Sequence, residues 1–209
     1  MEHWTEYSHF FTALLVILDP IAAIPIFLAL TKSYSYAERS RITNLTAITV
    51  VAVLVIASVT GETLLLAMGT SLSSFRVSGG IVLMIMALAM LQSRMDKVFA
   101  ESDNAISDKN TIAIVPMAIP LLAGPGAIST VIIEMHRSTL NYHPWLVTLC
   151  IILAGLVLWL MLRMAGMIGR TLGITGFNIV HRLFGLVLIA IAVEMMANGL
   201  KELFPVLAG

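Results

Sequence analysis

Six long apolar segments constrain the fold of this chain more than any other feature of the sequence. A helix needs about 20 mainly apolar residues to cross roughly 30 Å of hydrocarbon. Segments of about this kind lie at Phe10–Leu30, Ala47–Met68, Val77–Leu91, Ile112–Ile133, Trp145–Ala165 and Leu183–Phe204. Only 11% of the residues are charged, whereas soluble domains average about 25%. The sequence therefore predicts an all-α integral membrane protein with six transmembrane helices.

The remaining composition excludes several classes of function. Twelve basic and twelve acidic residues balance one another, so no electrostatic footprint for nucleic acid is present. The single cysteine, Cys150, excludes a disulfide framework and a CxxC redox pair. Because the sequence has neither a Walker A loop nor histidines at metal-ligand spacing, we expect no metal, no cofactor and no enzymatic activity.

The loops between the apolar segments predict the orientation. Basic residues favour the cytoplasmic loops of membrane proteins. With the N-terminus outside, nine Lys and Arg residues fall on the inner side and three on the outer side. We therefore expect a bacterial inner-membrane protein with both termini in the periplasm. The third segment is short, and we expect the Gly- and Ser-rich residues 69–74 before it to dip into the membrane.

The two halves of the chain resemble each other. A constant offset of 105 residues pairs Pro20 with Pro125 and Gly80 with Gly185. An offset of 100 residues also pairs prolines, because Pro20 and Pro25 then match Pro120 and Pro125. The alternative to a repeat is a chance resemblance between two apolar halves. Three spans per half is an odd number, so a second copy would cross the membrane in the opposite direction, as in many secondary transporters. We predict two inverted three-helix repeats, at residues 1–92 and 111–209, joined by a polar cytoplasmic linker at residues 93–110.

The first and fourth segments contain prolines that predict broken helices. Asp is a favoured N-cap and Pro a favoured first helical residue, so Asp19-Pro20 predicts a half-helix that begins in mid-membrane. Gly124-Pro125-Gly126 predicts the same in the second half. Two half-helix N-termini would present free N–H groups and positive dipole ends to an anionic group. The alternative is that these prolines only kink packed helices.

Few charged residues lie within or beside the spans. Asp19 is the deepest acid, and it serves equally well as a helix cap or as a site for a proton or cation. Glu194 is the next candidate. Arg76 opens the third segment and either reaches the lipid headgroups or binds a substrate carboxylate. Its counterpart in the second half is His181, followed by Arg182.

Two further acids, Glu62 and Glu134, lie nearer the ends of their segments. Charged side chains at such positions ordinarily reach water. We therefore expect both to be exposed and without a functional role.

The ordered motifs of the chain resemble those of the MarC family, also called UPF0056. The motifs that carry the resemblance are Asp19-Pro20-Ile21 with Ile24-Pro25, Ser74-Phe75-Arg76 with Gly79-Gly80, and Ile119-Pro120-Leu121 with Ala123-Gly124-Pro125-Gly126-Ala127. The resemblance covers nearly the whole chain. It implies a six-span inner-membrane protein, loosely related to the LysE exporters. Because some members are described as neutral amino acid transporters, it also implies small neutral amino acids as substrates.

These observations predict a secondary transporter of glycine- or alanine-like amino acids, driven by an H⁺ or Na⁺ gradient and working by alternating access. The alternatives are an exporter or flippase of another anion, such as a lipid-linked phosphate, and a non-transporting assembly factor. A homo-oligomer is a further possibility. The predicted substrate-binding residues are Asp19, Pro20, Arg76, Gly124, Pro125 and Gly126. The predicted coupling or gating residues are Asp19, Glu194, His181 and Arg182.

Overall fold

The computed structural model describes residues 2–31, 34–91, 122–137, 142–204 and 206, and all regular structure in these ranges is helical. The helices there are α1 (Glu2–Leu18), α2 (Pro20–Leu30), α3 (Tyr36–Ala67), α4 (Leu72–Leu91), α5 (Pro125–Met135), α6 (His143–Arg163) and α7 (Ala165–Leu203). Successive helices run in opposite directions, except that α2 continues α1. The start of α1 therefore lies at the same end of the bundle as the ends of α3, α5 and α7.

Five stretches of the described helices are long and apolar enough to cross a membrane. They are Thr5–Leu28, Tyr36–Ala67, Leu72–Leu91, His143–Arg163 and Asn178–Leu203. They overlap the first, second, third, fifth and sixth predicted segments, and the protein is an integral multi-pass membrane protein. The fourth predicted segment is described only from Leu122 onward. Pro116, Pro120 and the linker at residues 93–110 lie outside the described residues.

The third span differs from its prediction. Helix α4 begins at Leu72 and has 20 residues, so it reaches across the membrane by itself. Residues 72–74 form its first turn, so the span begins five residues before the predicted start at Val77. The expectation that residues 69–74 dip into the membrane stays a prediction. The chain reverses between α3 and α4 through Gly69, whose φ of 72° lies in the left-handed region that glycine adopts without strain.

Two glycines bring α4 and α7 into backbone contact. A Cβ atom added to Gly80 would lie 2.9 Å from the carbonyl oxygen of Ala192 on α7. A Cβ atom added to Gly185 would lie 3.2 Å from the carbonyl oxygen of Ala87 on α4. Both distances are shorter than ordinary contacts, so only a residue without a side chain fits. Helices within membranes commonly use small residues in this way, because dispersion contacts hold them together.

We expect Gly80→Ala to destabilise the protein, because its Cβ would meet backbone that cannot move independently. The expected loss is about 1–3 kcal/mol, the usual effect of overpacking. Gly166→Ala is the matched control, since a Cβ at Gly166 meets no atom within 4 Å. Thermal unfolding of the purified protein in detergent should show a lower Tm for Gly80→Ala only. Equal values of Tm for the two variants would contradict the close approach of α4 and α7.

Candidate functional site

The first span breaks at Asp19. This residue has a φ of 40°, a left-handed conformation that is rare outside glycine but tolerated by Asp. Its N–H closes α1 by donating to Leu15 O at 3.1 Å, and its carbonyl accepts the Ala23 N–H at 3.3 Å as α2 begins. Its Oδ1 accepts the Ala22 N–H at 3.2 Å. Asp19 is thus the N-cap of α2, and the predicted start of a half-helix at Pro20 is confirmed.

The break also leaves a backbone acceptor close to Asp19 in the chain. Because Pro20 has no N–H, the carbonyl of Val16 lacks its usual helical donor. The Asp19 residue itself is only 9% exposed. A buried carboxylate and a carbonyl released from its helical bond form an environment that suits a cation, such as an ammonium group.

The second half-helix begins at Pro125, as predicted, but its start is chemically different. Its N-cap is Gly124, in an extended conformation with φ −68° and ψ 174°, which has no side chain to cap the helix. The first helical bond runs from Ile128 N–H to Gly124 O at 3.0 Å. Helix geometry therefore leaves the N–H groups of Gly126 and Ala127 without acceptors inside the helix. These groups and the helix dipole favour an anion.

The two breaks are neighbours in space. Ile17, two residues before Asp19, has its Cγ2 atom 3.6 Å from the position that a Cβ on Gly126 would occupy. A gap lies at this contact, and it is too narrow to hold a water molecule. Its lining consists of Ile17, Met86, Leu122, Gly124, Gly126 and Ala127. We refer to this gap as the central cavity.

Arg76, a predicted substrate-binding residue, does not line the central cavity. Its guanidinium forms an ion pair with Glu202 near the end of α7. The same carboxylate accepts the Ser73 hydroxyl at 2.8 Å. Arg76 lies seven residues before Leu83, the residue of α4 that contacts Gly126, which is about 10 Å along the helix axis. The structure therefore places Arg76 at one end of the bundle, bridging α4 and α7.

The predicted gating residues on α7 also lie away from the cavity lining. Glu194 and Arg182 are exposed on the surface of the described chain. The backbone of His181 is helical, and its side chain lies outside the described part of the structure. The described residues contain no group of three His, Cys, Asp or Glu side chains that could hold a metal ion.

Sequence reasoning missed a buried polar network at the end of the bundle where α1 begins. His143, the first residue of α6, is 3% exposed. Its Nε2 lies 2.6 Å from the Glu134 carbonyl and its Nδ1 lies 2.7 Å from the Tyr7 hydroxyl. The side chain of Glu134 is 10% exposed and pairs with Arg137 at 3.5 Å. The expectation that water reaches Glu134 is therefore wrong.

A second histidine ties the end of α5 to α3. His136 Nε2 lies 2.9 Å from Glu62 Oε2, and the Glu62 side chain is 41% exposed, as the sequence led us to expect. What the sequence did not reveal is its partner. The local signal was the cluster Glu134-Met135-His136-Arg137 followed by His143, which places two histidines beside a predicted span end.

Comparison with known proteins identifies relatives along the whole chain. The family model described as MarC family integral membrane protein matches residues 4–204. The UPF0056 membrane protein YhcE of Escherichia coli is 35% identical, and the match covers 95% of this chain and 94% of that protein. A UPF0056 membrane protein of Buchnera aphidicola from Schizaphis graminum is 36% identical over 99% and 97% of the two chains. One from Methanocaldococcus jannaschii is 35% identical over 91% and 94%. No solved structure matches.

We expect Gly126→Ala to fill the central cavity and to strain its wall. The new Cβ would overlap the buried Leu83 side chain, whose Cγ would lie only 2.8 Å away. The expected loss of stability is about 1–3 kcal/mol. Leu83→Ala alone should cost about 2–5 kcal/mol by leaving a void.

The double variant is the decisive measurement, because each change relieves the defect of the other. Its loss should be smaller than the sum of the two single losses by about 1 kcal/mol or more. The three variants and the wild type should be compared by thermal unfolding in one detergent. Simple additivity of the losses would show that Gly126 and Leu83 are not in contact.

Proposed function

The chain belongs to the MarC family of integral membrane proteins, and we propose that it is a secondary transporter of small neutral amino acids rather than an enzyme. One observation carries the proposal. The two helix breaks are neighbours in space, and one has a buried carboxylate while the other has N–H groups without helical acceptors. This is the pair of opposite environments that a zwitterion needs.

The substrate carboxylate would bind the N–H groups of Gly126 and Ala127 at the start of α5. The substrate ammonium would face Asp19 and the carbonyl of Val16 across the contact between the breaks. The lining of the cavity is apolar and does not include Asp19, and the cavity is too narrow for water. Opening it modestly would admit a side chain of the size found in glycine or alanine.

The tight contact between the breaks implies that alternating access would need a movement there. The space is too narrow for water, so it must widen before a substrate can bind. The breaks at Asp19 and Gly124 supply the places where half-helices can swing, because no continuous ladder of helical hydrogen bonds crosses them. An ion gradient, of H⁺ or Na⁺, would supply the driving force.

The packing of the helices supports two inverted repeats, at residues 1–92 and 111–209 with a linker at residues 93–110. Exchanging the two halves by the same offset maps the contact of α2 with α6 onto that of α5 with α3. The offset of 105 residues also maps Gly80 against Ala192 onto Gly185 against Ala87. Because α4 and α7 are antiparallel, the axis that relates the halves lies across the helices, as inversion requires.

An exporter or flippase of a phosphate-bearing lipid is the alternative. The N–H groups at the start of α5 would serve a phosphate equally well. The buried carboxylate of Asp19 weighs against it, since a phosphate with its full charge would be repelled at close range.

Arg76, Glu194, His181 and Arg182 enter the proposal as gating residues. Arg76 bridges α4 and α7 through Glu202, and breaking that bridge would let the two helices separate at one end. The other three lie on α7 away from the lining and carry no stronger assignment.

We propose an inner-membrane location with both termini in the periplasm. In a Cys150→Ala background, Ser71→Cys in the turn before α4 should react with a membrane-impermeant maleimide in intact cells. Tyr36→Cys, at the opposite end of α3, should react only after permeabilisation, and its position is 75% exposed. The reverse pattern of labelling would show that the orientation is inverted.

Asp19→Asn should abolish most alanine flux into proteoliposomes. Asn caps helices and tolerates the left-handed conformation as well as Asp does, so the fold should persist while the charge is lost. We expect flux to fall by about tenfold or more, the effect of losing at least 1.4 kcal/mol of binding. Glu6→Gln is the matched control on the same helix, because Glu6 pairs only at 3.9 Å with Arg137 at the bundle end.

An alanine flux of Asp19→Asn equal to that of the wild type would show that Asp19 has no role in transport. Absence of flux for alanine and glycine, together with thermal stabilisation by a polyprenyl phosphate, would favour the flippase instead. A ligand raises the Tm only if it binds the folded form. The same purified protein serves both measurements.

A further inference from the structure

We propose that a proton shared by Glu62 and His136 latches α5 to α3, and that this proton is the ion that drives transport. The inference rests on the proposed function, because it assigns the coupling ion of the same site. His136 follows directly after α5, whose other end borders the central cavity. The 11 residues of α5 form a rigid rod of about 16 Å between the latch and the cavity.

Both ring nitrogens of His136 face oxygen atoms that accept hydrogen bonds. Nδ1 lies 2.8 Å from the carbonyl oxygen of Ile132. Nε2 lies 2.9 Å from Glu62 Oε2. A carbonyl and an ionised carboxylate donate nothing, so both nitrogens must carry a hydrogen, or the carboxyl must carry one. In either form the pair holds one proton more than a neutral imidazole beside a carboxylate.

Loss of that proton removes one of the two contacts, because a neutral ring carries a single N–H. The nitrogen that gives up its hydrogen then turns a lone pair toward either the Glu62 carboxylate or the Ile132 carbonyl, and that contact becomes repulsive. The helices are close-packed at this point, since a Cβ on Gly61 would overlap the Ile132 side chain. Release of the proton to water therefore loosens the contact that holds the end of α5, and uptake of a proton restores it.

His143, the other histidine beside α5, does not need an extra proton. Its Nε2 donates to the Glu134 carbonyl, and its Nδ1 can accept from the Tyr7 hydroxyl. The neutral ring satisfies both bonds, and His143 therefore holds α6 in place without an added proton. Of the two histidines in this network, His136 is the one whose contacts depend on proton uptake.

Charged groups from every span surround the latch at this end of the bundle. Among the described residues, the titratable groups there are Glu6, Tyr7 and His9 on α1, Glu62 on α3, Arg76 on α4, Glu134 on α5, His136 and Arg137 in the following turn, Tyr142, His143 and Cys150 at or near the start of α6, and Lys201 and Glu202 on α7. Glu134 pairs with Arg137 and Glu202 pairs with Arg76, whereas Glu62 pairs with His136. Glu62 is thus the acid at this end whose ion-pair partner is a histidine, which carries a charge only when it holds a second proton.

The variant Glu62→Gln tests whether the contact between α3 and α5 needs an added proton. A Gln amide can donate to Nε2 of a neutral His136, so the contact should form at every pH. Glu202→Gln is the matched control, because Glu202 also joins two helices at this end but pairs with an arginine, which keeps its charge throughout. The two measurements are ¹⁵N NMR of labelled histidine between pH 5 and 9 and alanine accumulation in proteoliposomes under an imposed pH difference.

We expect the wild type and Glu202→Gln to show His136 as an imidazolium at low pH, with loss of its second proton as the pH rises. A difference of one pH unit should support about tenfold alanine accumulation for one proton per substrate. Glu62→Gln should show a neutral His136 over most of the range and no accumulation driven by the pH difference.

Accumulation by Glu62→Gln equal to the wild type would overturn the latch as the coupling site and leave the proposed function standing. A neutral His136 in the wild type at pH 5 would also overturn it. If the wild type moves no alanine but shows a His136 titration that Glu62→Gln abolishes, the proton latch is supported and the amino acid assignment fails.

Discussion

Backbone N–H and C=O groups inside a membrane must find partners, and the structure is organised around two places where a helix cannot supply them. At Asp19 the chain leaves the helix for one residue, and the aspartate carboxylate itself takes one of the freed N–H groups. At Gly124 no side chain is present to do so. Lipid offers no partner for the N–H groups of Gly126 and Ala127. A bound anionic group is one partner that could satisfy them under the proposed function.

The close packing around these breaks explains why the site is narrow. Gly126 is pressed against Leu83, Gly61 against Ile132 and Gly80 against the Ala192 backbone, so the helices that surround the cavity approach one another without intervening side chains. Interiors packed in this way do not deform continuously but switch between discrete arrangements. An ion pair or a shared proton at the end of a rigid half-helix is enough to bias such a switch, because the half-helix moves as one body.

Local rules predicted the helix breaks, whereas distant contacts decided what the polar residues do. Asp19-Pro20 and Gly124-Pro125 revealed two half-helix starts, because capping and proline geometry act over a few residues. The roles of Arg76 and Glu134 depended on partners that no local pattern indicates. Arg76 meets Glu202 from 126 residues away, and the carbonyl of Glu134 meets the buried His143 of the next helix. The sequence also placed the start of the third span too late in the chain. Helix α4 begins at Leu72 and includes polar residues such as Ser73 and Arg76 in its first turns.

Under the proposed repeat, the two halves share a scaffold but differ in chemistry at the positions that matter. Asp19 and Gly124 are equivalent by the offset of 105 residues, and the first has a carboxylate at its helix start while the second has no side chain there. Thr31 is the equivalent of His136, and its hydroxyl donates to Phe27 O at 2.6 Å just as His136 contacts Ile132 O. The equivalent of Glu62, however, is Met167, which cannot share a proton. A symmetric scaffold lets the protein present its site to either side, and a proton latch at one end only allows the two openings to respond differently to a pH gradient.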